Sequence, residues 1–356
     1  MSFFDQPLLS PQENIEKMEV NINNNFRNSK FSVLDLVPVA QGSTPLKSMQ
    51  KSLELAQHVE TLGFERFWIS EHHNMESLVS SATPILIGHI AQGTKTIRVG
   101  SGGIMLPNHA PLIVAEQFGT LETLYPGRID LGLGRAPGTD QLTAKALRRN
   151  RTETVHDFPN DITELQTYFS KENRNAAVRA IPGEGLNLPL YLLGSSTFSA
   201  QLAGSKGLPY AFASHFAPTH LYEALRLYHQ NFEPSEQGIS PYTIACVNVI
   251  AAETDEKAKY LETSLQQLAL GIIRNTRKPL PPPVKSMDGI WHEVEKAQIR
   301  NMMHYSFVGS KETIKTQLTD FIEATRVNEI MAVSHIFDHK DRLRSYEILG
   351  SLFKDA

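Results

Sequence analysis

Eight short apolar runs alternate with stretches of helical periodicity along almost the whole chain, and this alternation narrows the possible folds more than any other feature. The runs occupy residues 31–37, 64–70, 97–101, 128–133, 188–194, 209–214, 242–250 and 328–337. Each is short, rich in aliphatic and aromatic residues, and bounded by glycine, proline or polar residues, as expected of a strand buried on both faces. Between them lie segments with one apolar helical face. In residues 46–62, for instance, Leu53, Ala56 and Val59 share a face and Gly63 ends the run. Parallel strands cannot be joined by a tight turn and need a crossover, usually a helix, so the alternation predicts a parallel sheet. Eight such units close naturally into a barrel. The expectation is an α/β protein, a single (β/α)8 TIM barrel with an insertion before the last strand. An open doubly wound sheet is the competitor, and a dinucleotide fingerprint would favour it. Gly132, Gly134 and Gly138 form G-x-G-x-x-x-G, one residue too long for that fingerprint, and Pro137 disfavours the immediate helix start it requires.

The chain of 356 residues, 41% hydrophobic, is the length of one barrel with insertions, and no second domain is required. Residues 1–29 contain the asparagine-rich NINNNFRN and little apolar periodicity, so they are read as an extension outside the core. The barrel domain then spans residues 30–356, with an insertion at about 271–300 that holds Pro281, Pro282 and Pro283 and cannot be a continuous helix. A formal net charge of -4 and a pI near 6.4 leave no basic footprint for nucleic acid. The first residues lack the basic start and apolar block of a signal peptide, and no segment approaches the roughly 20 apolar residues that cross a bilayer. With one cysteine no internal disulfide forms, and the expected setting is a reducing cytoplasm. Cys246 lies in an apolar run and reads as core.

The chemistry-bearing residues gather where barrel enzymes keep their sites, just past the C-terminal ends of the strands. The third strand ends in Gly102 and Gly103, whose missing Cβ atoms let a planar ring lie against the main chain. The fourth delivers Arg135 into a loop, where its planar fork suits a phosphate, although a salt-bridged loop arginine would look the same. After the fifth strand, Ser195, Ser196, Thr197 and Ser199 open a helix whose free N–H groups attract anions; simple capping by Ser195 or Ser196 is the alternative. Glu71, His72, His73 and Asn74 follow the second strand, Asn108 and His109 lie beyond the third, and Ser214 and His215 follow the sixth. Asp35 and Asp338 lie near the ends of the first and last strands. Adjacent histidines at a strand end point in different directions and H-E-x-x-H is absent, so a single imidazole acting as donor or general base fits better than a metal pair. No metal ligand set is assigned. A metal-dependent hydrolase using His72, His109 and His215 has only weak support from spacing.

Four segments then carry a resemblance: FERFWISEHHN, RVGSGGIMLPNHAPLIVAEQFGTLETLYPGRIDLGLGRAPG, LPLYLLGSSTFSAQLAGSKGLPYAFASHF and VGSKETIKTQL. Together they resemble the bacterial luciferase-like flavin monooxygenases, over nearly all of the chain after Lys30. The resemblance implies a (β/α)8 barrel with FMN on its C-terminal rim and homodimerisation through the early helices. It implies an isoalloxazine near Gly102 and Gly103, where relatives have a cis peptide, and an FMN phosphate at Arg135, Ser195, Ser196 and Ser199. His72 matches the family's catalytic histidine, with His73 a supporting neighbour. The implied reaction is oxygenation of a small organic substrate by O2 with reduced FMN as co-substrate, supplied by a separate NAD(P)H:flavin reductase. A non-catalytic flavin-binding protein and a deazaflavin-dependent oxidoreductase are the alternatives. Light-emitting relatives carry a reactive cysteine where this chain has Gly134 and a glutamate where it has Ser195, so light emission is not implied.

Overall fold

In the computed structural model, which describes residues 29–136, 138–148, 157–276 and 278–354, the apolar runs become strands β1 Lys30–Asp35, β2 Arg66–Ile69, β3 Arg98–Met105, β4 Ile129–Gly134, β5 Leu190–Gly194, β6 Tyr210–Phe212, β7 Thr243–Ala251, β8 Ser306–Gly309 and β9 Glu329–Val333. The helices between and after them are α1 Pro45–Leu62, α2 Thr83–Gly93, α3 Pro111–Leu124, α4 Gln141–Arg148, α5 Phe158–Phe169, α6 Thr197–Ser205, α7 Leu221–Gln230, α8 Asp255–Ile273, α9 Glu293–Met302, α10 Lys311–Thr325 and α11 His339–Lys354. Residues 1–28 of the expected extension lie outside the described residues.

Eight strands close a ring in the order β1-β2-β3-β4-β5-β6-β7-β9, with β9 returning to β1 and every pairing parallel. The expected TIM barrel is present, with one strand more than the sequence suggests. The extra one is β8, outside the ring, where it pairs with the upper part of β7 from Asn248↔Ser306 to Ala251↔Gly309. Its sequence, SFVG, is too short and too polar at its start to stand out as a strand. The expected insertion at 271–300 is resolved into the end of α8, an extended proline-containing segment and α9. Helix α5 is described from Phe158, and residues 149–156 before it lie outside the described set.

The barrel interior is divided along its length. At the N-terminal ends of the strands Arg66, 3% exposed, donates to Asp130 (2.7 Å), Glu329 (2.8 Å) and the Tyr191 hydroxyl (2.8 Å). The Trp68 indole N–H adds a bond to Asp130 and the Tyr242 hydroxyl one to Glu329. Buried charges are tolerated because their partners and remaining lone pairs are satisfied, and removing one member would leave the others stranded at several kcal/mol. Above this polar floor the interior becomes apolar, with Leu34, Ile244, Cys246, Met331 and Val333 packed together. Burial pushes the Cys246 thiol pKa up, as expected of a core residue rather than a nucleophile.

Strand β3 shows how the fold re-aims backbone at that end. The expected strand ends at Ser101; the observed one continues to Met105 through a register shift in which Gly102 and Gly103 intervene between Ser101↔Leu131 and Ile104↔Leu133. Such a bulge bends the strand and turns its main chain toward the barrel mouth. Among the described residues no helix is long and apolar enough to cross a membrane.

Candidate functional site

A cavity of about 1080 Å³ opens at the C-terminal ends of the strands, and His72, Gly102, Gly103, Arg135, Ser195, Ser196 and Ser199 all line it. Its size is at the upper end of small-ligand sites, with space for more than one bound molecule.

On the β3–β5 side the backbone is bare. The Gly102–Gly103 peptide is cis. A Cβ at Gly103 would come 2.7 Å from the Gly132 carbonyl oxygen, so that position admits no side chain, and one at Gly102 would come 2.5 Å from the end of the Leu34 side chain, which would have to move. Beside them the Arg135 guanidinium stacks on the Phe198 ring, 4.4 Å from its centroid. Among the described residues no carboxylate pairs with it, which removes the salt-bridged alternative there. Phe198 belongs to the first turn of α6, so the arginine meets the serine-rich helix start in space. Ser196 is the N-cap residue, yet its side chain makes no capping hydrogen bond. Its hydroxyl lies 3.3 Å from that of Ser199, and Tyr210 fixes its carbonyl by donating a bond of 3.2 Å. The simple capping explanation therefore fails for Ser196. A stacked arginine lacking a carboxylate, hydroxyls not used as caps and a helix N-terminus fit a phosphate ester.

His72 stands after β2. Its Nδ1 is 3.0 Å from the Ser70 hydroxyl, which is itself 3.3 Å from that of Ser80. When Ser70 donates to Nδ1, the ring proton resides on Nε2. The neighbouring rim residues have other duties. Glu71, 1% exposed, accepts bonds from Nε2 of His73 and of His109, each 2.8 Å, and from the Met105 amide at 3.0 Å. Burial alone would raise its pKa, but the histidine and amide bonds outweigh that and hold it at about 2. This carboxylate ties β2, β3 and the loop beyond together and occupies two of the rim histidines, so the metal site imagined from His72, His109 and His215 is not assembled. Among the described residues no group of three or more His, Cys, Asp or Glu could hold a metal ion.

The depressed pKa has a sign that can be checked. A carboxyl titrating near 2 when folded and near 4.5 when unfolded stabilises the fold fully above pH 4.5, and that contribution disappears as the pH falls toward 2. Glu71→Gln is expected to cost about 3 kcal/mol at pH 7 and much less at pH 3, on the scale of 1.36 kcal/mol per pKa unit. Urea unfolding of both proteins at the two pH values measures it, and an equal loss at both would contradict the linkage.

Other rim candidates move out of the site. Asp35 accepts bonds from Arg342 (2.8 Å), Ser52 (2.6 Å) and the Val37 amide (3.0 Å), pinning α1 and α11 to the barrel. Asp338 accepts bonds from the amides of Lys340 and Asp341 at the start of α11. The Ser214 hydroxyl donates to the Cys246 carbonyl at 2.6 Å. Conversely, His335 lines the cavity and escaped the sequence reading because it sits in the apolar run SHIF beyond β9.

A closed α/β barrel whose mouth joins an arginine–serine corner, a bare stretch of backbone and a histidine around an apolar cavity has the make-up of a cofactor-using enzyme. The family described as luciferase-like monooxygenase matches residues 29–349, and the chain belongs to that family. It is 54% identical to the uncharacterized protein YvbT of Bacillus subtilis (94% of this chain, 99% of the relative) and 48% identical to a luciferase-like monooxygenase of Escherichia coli (89% and 95%). Among solved structures it resembles apo-MsnO8, with a TM-score of 0.82, 36% identity, and coverage of 92% and 98%. Two more distant structures share the fold: an oxygenating constituent of 3,6-diketocamphane monooxygenase in complex with FMN (TM-score 0.68, 17% identity, coverage 91% and 97%) and an F420-dependent secondary alcohol dehydrogenase (0.65, 15%, 90% and 97%).

Proposed function

We propose that this protein is a monooxygenase that uses reduced FMN and O2 to oxygenate a small organic substrate. The observation that carries the reading is the meeting of Arg135, stacked and without a carboxylate partner among the described residues, with the serine-rich start of α6 beside the side-chain-free Gly102–Gly103 backbone. Arg135, Ser195, Ser196 and Ser199 hold the FMN phosphate, and Gly102 and Gly103 make room for the ring. Reduced FMN supplies the two electrons that allow one atom of O2 to enter the substrate while the other leaves as water. His72, oriented by Ser70, moves a proton at the reacting centre, and the apolar walls exclude water. The FMN-bound structure of the same fold supports the choice of cofactor, and its description as an oxygenating constituent supports a separate NAD(P)H-dependent reductase as partner. Exposed Leu46, Ile85, Ile113 and Leu124 on α1, α2 and α3 support a homodimer through the early helices. The single buried free cysteine suits a reducing cytoplasm.

Anaerobic titration with reduced FMN and with reduced deazaflavin, followed by ¹⁸O2 and a panel of ketones, aldehydes and sulfides, tests this reading. Tighter binding of FMN and a product carrying one ¹⁸O are expected. Preference for the deazaflavin would move the protein to the deazaflavin oxidoreductases, and FMN binding with no labelled product from any compound would leave a binding protein.

A further inference from the structure

Arg135 sits between two glycines, Gly134 immediately before it and Gly138 three residues after, and the space over both is taken by a side chain from the neighbouring strand. Met105, the last residue of β3, pairs in register with Gly134 and lines the cavity with it. A Cβ at Gly134 would come 2.9 Å from the Met105 sulfur and 3.4 Å from its terminal methyl. The nearest backbone atom it would meet, the Ile104 carbonyl oxygen, lies at an ordinary 3.8 Å. A Cβ at Gly138 would come 3.0 Å from the Met105 Cγ. The thioether side chain therefore reaches across from β3 and lies against both ends of the segment that carries Arg135.

The root of that side chain is fixed. The Met105 amide donates to Glu71 at 3.0 Å, and Glu71 is in turn held by His73 and His109. The far end of the arginine loop is tied to the segment after β2: the His73 amide donates to the Gly138 carbonyl at 3.4 Å, the Thr139 hydroxyl to the His73 carbonyl at 3.1 Å and the Asn74 amide to Asp140 at 3.3 Å. Glycine gives the backbone more freedom than any other residue, so the direction in which Arg135 leaves β4 depends on what packs against its two glycines. Phe198 meets the guanidinium at its tip, and Met105 meets the main chain at its base. An unbranched thioether conforms well to bare backbone, and its many small dispersion contacts add up.

We propose that Met105 is a positioning residue for the cofactor phosphate: lying across Gly134 and Gly138, it holds the loop so that Arg135 presents its fork in one orientation. A side chain already held in its bound orientation loses little further freedom when the ligand arrives, so displacing the thioether weakens the phosphate contact and spares the contacts made by the rest of the cofactor. The inference rests on the FMN reading for the identity of the anion.

The test compares FMN and riboflavin affinities of the full-length protein by flavin fluorescence. Met105→Ala is expected to weaken FMN binding at least fivefold and riboflavin binding less than twofold. Met105→Leu, of similar volume, should keep FMN affinity within twofold of the parent. In an Arg135→Ala background, Met105→Ala should cost less than a further twofold, because the group it positions is gone. Gly134→Ala puts a methyl group where the sulfur lies, so it should weaken FMN binding as Met105→Ala does, and the two combined should lose no more than twofold beyond either alone. Gly134→Ala also carries the test should Met105→Ala fail to fold. The proposal is overturned if Met105→Ala keeps FMN affinity within twofold of the parent, if FMN and riboflavin weaken equally, or if Met105→Ala costs as much without Arg135 as with it. It is also overturned if the losses from Met105→Ala and Gly134→Ala multiply. Failure of the parent protein to bind FMN would instead sink the monooxygenase reading, so the two failures are distinguishable.

Discussion

Replacing Arg135 by alanine is expected to weaken FMN binding by about 2 to 5 kcal/mol, a loss of roughly 30-fold to several thousand-fold. The size follows from what the side chain supplies: a permanent charge, a fork matched to phosphate oxygens, and a position already set by stacking on Phe198. Preorganisation matters because little side-chain entropy remains to be lost on binding. Arg135→Lys keeps the charge but loses the fork and the stack, so an intermediate loss is expected. Fluorescence titration of the two variants against the parent measures both effects. Riboflavin, which lacks the phosphate, should bind parent and variants with similar affinity. Unaltered FMN affinity in Arg135→Ala would remove the phosphate assignment.

The second large effect concerns His72. His72→Ala is expected to lower turnover by roughly 10²-fold or more, the usual size for a positioned acid–base group, with only a modest loss of FMN affinity. The ring lies on the β2 side of the cavity, away from the β4–β5 corner proposed for the phosphate, and the Ser70 hydroxyl lies 3.0 Å from its Nδ1. Ser70→Ala should produce a smaller loss of the same kind, because it loosens the imidazole without removing it. Steady-state measurements with saturating reduced FMN and an accepted substrate report the change in kcat, and an unchanged kcat would take His72 out of the mechanism.

Much of this arrangement is legible in the sequence because barrels translate order along the chain into position on a rim. Once the strands are placed, Gly102, Arg135 and Ser195 must share one end of the molecule, whatever their separation along the chain. What escapes is side-chain traffic behind the rim. Nothing in the spacing of Asp35 reveals that Arg342, 307 residues later, pairs with it. Likewise, Glu71 collects His73 and His109 only because the β3 loop folds back over β2. His335 was hidden for the opposite reason: it stands in an apolar run, where composition suggests core, yet the run continues past the end of β9 into the cavity wall. The added strand β8 was missed because four residues carry too little periodicity, and its existence depends on how far β7 projects beyond the ring.

That projection also gives the chain a second place to fasten itself beside the ring. The lower half of β7 is held by β6 and β9 inside the ring, whereas its upper half is free to pair with β8 and so bracket the roof formed by α8, the proline segment and α9. The segment is thus fastened to the scaffold at two seams on β7, the strand opposite β3 in the ring. Because Arg274, Ile290, Met302 and Met303 line the cavity, exchanging this segment between relatives is expected to change the cavity walls without touching the strands that lead into Arg135 and Ser196.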